Sequence, residues 1–163
     1  MKLLIVVGAA AAVVFGSATF SAAAAADPQD VVTTWKYKSD NNRAVFKATS
    51  TSGSRVSGDT TYTFLDVEGS LYNRDTRPAS RGGLCAYVEW RTRALYRGSY
   101  VDGAHNLTQC DTKSPATFSS PITNPTYFDL RVCQIAKGGT EPVHCGDWQR
   151  AFQARIYRPL QTH

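Results

Sequence analysis

Apolar and polar residues alternate along most of this chain, and helical spacing is almost absent beyond the first 26 residues. Alternation with period two, in segments rich in Thr, Val, Tyr, Phe and Trp, predicts strands half buried against a core. Val31 to Lys38 reads as a first strand, with Trp35 and Tyr37 set against Lys36 and Lys38. Ser39-Asp40-Asn41-Asn42 is a turn by composition, because Asn and Asp tolerate a left-handed backbone. Ala44 to Thr49 makes a second strand. Ser52-Gly53-Ser54 is expected to turn the chain, with Arg55 to Ser57 opening a third strand.

Thr60 to Glu68 alternates most cleanly in the first half, with Tyr62 and Phe64 opposite Leu65 and Val67. Asn73 to Gly83, with Pro78 and two glycines, is an expected loop. Leu84 to Thr92 is a strong strand whose core face is Leu84, Ala86, Val88 and Trp90. Asp102 to Pro125 is expected to be the longest irregular region, held by a staple or serving a function. Tyr127 to Ile135 then turns inward Phe128, Leu130 and Val132. Lys137 to Thr140 is a turn, and Asp147 to Arg158 is the last strand, carrying Trp148, Phe152, Ala154 and Ile156 on one side. Seven or eight short strands separated by turns predict an all-β chain folded as a single antiparallel β-sandwich.

The first 26 residues are excluded from this argument. Lys2 precedes an apolar run from Leu3 to Phe15, and Ala24 and Ala26 supply the A-x-A spacing of a secretory signal. The domain then spans residues 27–163, with secretion into the extracellular space and no membrane attachment after cleavage at Ala26. Removing Lys2 from the 18 basic residues leaves a net charge of +4 against 13 acidic ones. That surplus is dispersed, and no specific nucleic-acid partner is expected.

Four cysteines follow the signal: Cys85, Cys110, Cys133 and Cys145. An even number in an exported chain reads as two disulfides, with three possible connectivities. Sequential pairing, Cys85 with Cys110 and Cys133 with Cys145, is expected, since each pair closes a turn-rich segment beside a strand. Each loop would stabilise the fold by about 2–4 kcal/mol. Closely spaced ligand pairs of the kind zinc requires are missing, so no metal or other cofactor is expected.

Candidate chemistry is sparse. A ribonuclease needs a carboxylate base, a histidine acid and arginines for the phosphate. Glu89, Arg91 and Arg93 share one strand face, and His105 or His144 would complete the set. The same row is equally a cross-strand charge pattern. A secreted protease inhibitor would use Asp111 to Pro125, anchored by Cys110, as a rigid loop. The third class, a non-catalytic binding module, is the reading adopted. Its candidate contacts are Asp30, Val31 and Val32 at the start of the first strand, and Arg91, Arg93, Tyr96 and Arg97 further on. Its partner would be another extracellular protein.

The Ala-rich signal and the stretch Gly83-Leu84-Cys85-Ala86-Tyr87-Val88 look like those of small exported actinobacterial proteins. The layout resembles the adaptor subunits of umbrella toxin particles, secreted antibacterial assemblies that join a lectin subunit to a toxin-bearing ring. The resemblance covers size, export, two disulfides and β content, and implies an adaptor role; no functional residue carries over. Export itself has a direct check. N-terminal sequencing of protein from culture medium is expected to begin at Asp27, and an intact Met1 would overturn cleavage.

Overall fold

The computed structural model describes residues 30–154; the segment expected to be an export signal and the end of the chain, with Ile156 and Arg158, lie outside the described residues. The fold is all-β, with nine strands in two antiparallel sheets, slightly more than the sequence pattern predicts. The first sheet runs β1(Val31–Lys38), β2(Ala44–Ser57), β3(Thr60–Asn73), β6(Ala116–Thr123) in spatial order. The second runs β5(Ser99–Gln109), β4(Cys85–Tyr96), β7(Pro125–Ile135), β8(Pro142–Val143), with β9(Gln149–Gln153) also paired to β7.

Three of the sequence expectations are corrected. Ser52-Gly53-Ser54 is no turn: β2 continues straight through it to Ser57, pairing with β3 along its whole length. Gly53 is there for space, because a Cβ would stand 2.3 Å from Asp30 Oδ1 and 3.0 Å from the Phe64 ring. Asp102 to Pro125 is not irregular either. It contains most of β5 and all of β6, leaving only residues 110–115 as a connection. Pro121 disguised β6, yet a proline is tolerated on an edge strand where its missing N–H faces no partner. The last strand is Gln149–Gln153 and not Asp147 to Arg158, so Trp148 precedes it and Ala154 follows it.

The core lies between the sheets. Trp35, Phe46, Ala48, Leu65, Val67 and Leu71 from one face Ala86, Val88, Trp90, Phe128, Leu130 and Val132 from the other. Trp35 stacks on Phe128 with centroids 5.8 Å apart, and Trp90 meets Phe118 at 4.8 Å. Gly69 makes this aromatic layer fit: a Cβ would lie 2.6 Å from Phe46 Cζ and 2.7 Å from Phe118 Cε1.

Both expected disulfides are formed, Cys85–Cys110 and Cys133–Cys145. They sit at one end, the base. Cys85–Cys110 links the start of β4 to the residue after β5, so it closes a strand pair and does not pin a long loop. Beside it, Asp75 is buried with its side chain 2% exposed. Its carboxylate accepts two hydrogen bonds from the Arg77 side chain, at 2.8 and 2.7 Å, and one from the Leu84 N–H at 3.1 Å. The fully buried Gln134 of β7 donates to Asp75 at 3.5 Å and accepts from Asn41 Nδ2 at 2.6 Å. Asn73 accepts the Asp75 N–H and donates to the carbonyls of Leu84 and Cys110.

At the opposite end the chain crosses from sheet to sheet at Asn124, in left-handed backbone (φ 50°). Its N–H donates to Thr63 O, its side chain accepts the Thr63 N–H, and its carbonyl accepts the Leu95 N–H. The β2–β3 and β4–β5 hairpins therefore end on the same side, beyond this corner.

Arg77, hydrogen-bonded to Asp75, holds that carboxyl well below the usual carboxylate range, against the opposing effect of burial. A native state that binds this proton more weakly than the unfolded chain loses stability as pH falls below about 4. Asp75→Asn is expected to lower stability at neutral pH by about 2–4 kcal/mol, because buried donors lose a charged acceptor. Below about pH 4 the variant should show a flatter acid dependence than wild type. Urea titrations across the acid range test both, and an unchanged acid slope would refute the assignment.

Candidate interaction site

The outer face of the second sheet carries a lattice of arginines, carboxylates and aromatic rings. Strand alternation puts Glu89, Arg91 and Arg93 on one face of β4, as their spacing requires. Opposite them on β7 stand Arg131, Asp129 and Tyr127, and on β5 stand Asn106, Ala104 and Asp102. Arg131 bonds Glu89, and Arg150 of β9 bonds Asp129. Arg93 makes a two-pronged pair with Asp102, at 2.7 and 2.9 Å. That pair holds Asp102 below its ordinary pKa and raises Arg93.

The rings lie beneath the guanidiniums. Arg91 sits 3.6 Å from the centre of Trp148, with Arg131 4.9 Å from the same ring. Arg150 lies 4.8 Å and Arg93 5.6 Å from Tyr127. Arg91 makes no ion pair with a carboxylate among the described residues. Its guanidinium lies over the indole and the residue is exposed, a setting in which arginine recognises planar anionic or carbonyl groups.

The histidines do not join this row. His105 lies across from Trp90 and stacks on its ring at 5.7 Å, on the opposite face of the sheet from Glu89. His144 sits at the base, 3.7 Å from Asp40. Glu89, Arg91 and Arg93 thus appear as members of cross-strand pairs, without a histidine beside them.

The other expected contacts separate. Asp30 lies on the first sheet, where its side chain, 7% exposed, pairs with Arg55. Arg55 in turn covers Phe64 at 4.1 Å. Val31 and Val32 are exposed on edge strand β1, and nothing brings them to the arginine row on β4. Tyr96 and Arg97 belong to the β4–β5 hairpin. Its two-residue turn places Arg97 and Gly98 at φ 48° and 81°, the arrangement that matches strand twist.

This hairpin overhangs the sandwich with apolar residues on both faces. Leu95 pairs across strands with Tyr100 on the arginine side, at 42% and 65% exposure. Tyr96 and Val101 project on the other side, at 61% and 52%. Leu95 and Val101 are absent from the sequence-derived contacts. The signal for them is the Arg97-Gly98 turn between two β-prone runs, which marks a hairpin. The loop proposed for protease inhibition shrinks to a tight turn in which Asp111 accepts from Lys113 N–H and Ser114 Oγ.

The outer face of the first sheet is different in kind. It holds an open hollow of about 650 Å³ edged by Thr34, Lys47, Glu68, Ser70 and Thr117. Its lining mixes polar and apolar groups, with Ala48 and Phe118 beside the Thr, Lys, Glu and Ser side chains.

Compared with known protein families, curated proteins and solved structures, the chain matches none. The arginine lattice is directly testable. Trp148→Ala removes the ring under Arg91 and Arg131 and is expected to cost about 1 kcal/mol of stability. Trp35 and Trp90 remain to report unfolding by fluorescence; a variant as stable as wild type would show that these contacts contribute nothing.

Proposed function

We propose that this protein works outside the cell as a non-catalytic binding module, an adaptor that engages another extracellular protein through the overhanging β4–β5 hairpin. One observation carries the reading: Leu95, Tyr96, Tyr100 and Val101 stay exposed at the end of a hydrogen-bonded two-stranded arm. Large apolar side chains clustered at an exposed tip mark interaction sites, and Tyr and Arg dominate interface energetics. Arg97 and the Arg93–Asp102 pair flank them as a polar rim.

The two disulfides support an oxidising compartment, which the export signal in the sequence also indicates. They cross-link the base, far from the hairpin, and so support a scaffold that holds its arm in one orientation. A preordered arm loses little entropy on docking. An adaptor in a secreted toxin assembly is one setting for such an arm.

The experiment is native purification from culture supernatant, with identification of the chains that accompany the protein. The double substitution Tyr96→Ala and Tyr100→Ala is expected to weaken the captured complex by at least about tenfold. Its melting temperature should stay close to wild type, since both side chains are solvent-exposed. Recovery as a lone chain under gentle conditions would overturn the proposal. So would phosphodiester cleavage that Glu89→Gln abolishes.

A further inference from the structure

Each sheet has two edges, and three of the four carry features that discourage strand pairing. β1 bears Lys36 and Lys38. β6 has Pro121 in its middle. On the far side of the second sheet, β8 is two residues long and starts at Pro142, while β9 carries Arg150 and a register irregularity. β5 is the exception. It offers 11 residues, Ser99–Gln109, without Lys, Arg or Pro, and among the described residues it pairs with β4 on one side only. Its single charge, Asp102, is neutralised by Arg93 of the same chain.

We propose that β5 pairs antiparallel with β5 of a second copy, continuing the second sheet across a twofold axis at Ala104. The sequence of the strand is self-complementary about that point. Tyr100 falls opposite Thr108 of the second copy, Val101 opposite Leu107, Asp102 opposite Asn106 and Gly103 opposite His105. The small pair Ala104 and Ala104 meets on the axis. All 11 residues are used, and the two aspartates stay apart. Moving the axis to Asp102 shortens the ladder and crowds the two Arg93–Asp102 ion pairs together. Moving it to Asn106 shortens the ladder.

A second copy is favoured over a foreign strand by this neutrality. No charge on the edge selects an acidic or a basic partner, whereas an isologous pairing needs only a strand that matches itself. The ladder uses backbone groups, so the side chains on both faces stay available. The two hairpin tips then point in opposite directions, which makes the dimer bivalent. The proposal does not depend on the hairpin reading, since the dimer can form whether or not the tips bind anything.

Sedimentation equilibrium of the secreted protein is expected to show reversible association to twice the chain mass. Ala104→Lys places two ammonium groups on the axis and should weaken the dimer at least about tenfold, with an unchanged circular dichroism spectrum. A wild-type monomer at every concentration overturns the proposal, including the case in which a foreign strand fills the edge. A dimer that survives Ala104→Lys overturns it too. Should that variant fail to fold, hydrogen exchange on wild type decides. β5 amides that gain protection with concentration support the pairing, and rates independent of concentration refute it.

Discussion

One buried carboxylate organises the base of this protein. Asp75 takes hydrogen bonds from Arg77, Leu84 and Gln134, and Arg43 stands 3.8 Å away. Those groups come from the first turn, the loop before β4 and the middle of the second sheet. An isolated ion in that position would cost several kcal/mol, so it persists only because every lone pair is engaged. Around it, Asn73 and Asn41 satisfy backbone and side-chain groups that the strand ends leave over. The two disulfides cross-link the same end, and Asn73 bonds the carbonyl of Cys110. Polar satisfaction and covalent cross-linking are therefore concentrated at one end, and above it the hydrophobic layer joins the sheets as far as the Asn124 corner.

That division explains where exposure is tolerated. At the stapled end even polar residues such as Ser39, Asn73 and Gln134 are buried. At the open end, Arg55 to Thr61 and Leu95 to Val101 are exposed throughout. Among the described residues Asn124 ties the sheets together there, by three hydrogen bonds. An arm projecting from a cross-linked base can present side chains without weakening the core, because few core contacts depend on it.

The parts legible in the sequence were those governed by period-two burial. Val88 and Trp90, or Phe128 and Leu130, announce themselves because both neighbours of each core residue are half-buried or exposed, and Ala86 and Val132 keep the same period although Cys85 and Cys133 beside them are buried. The cysteine pairing was legible too, although Cys85 and Cys110 bracket the β4–β5 strand pair and not the turn-rich segment that suggested it. β5 was not, because its inward positions are Val101, Gly103, His105 and Leu107, a pattern too polar to read as a core strand. Gly53 misled for the opposite reason, its turn-like neighbours concealing a steric need. The arginine–aromatic lattice combines β4, β7, β9 and the residue before β9, so only tertiary structure assembles it. Arg91 was visible as a candidate; Trp148, which fixes its posture, was assigned to a strand it does not join.

The strand order has a consequence for how the chain reaches this state. β3 finds its outer neighbour in β6, and between them in sequence lies the entire β4–β5 hairpin of the other sheet. β4 likewise waits for β7, which follows β6. Neither sheet is a continuous stretch of chain, so no N-terminal fragment that stops short of β6 contains a finished one. Loop closure over such separations precedes the reward of packing, and folding rates fall as these non-local pairings dominate. The molecule is thus expected to fold late and as one cooperative unit. Until β6 and β7 arrive, Leu65, Val67 and Val88 stand on strands whose long edges are open.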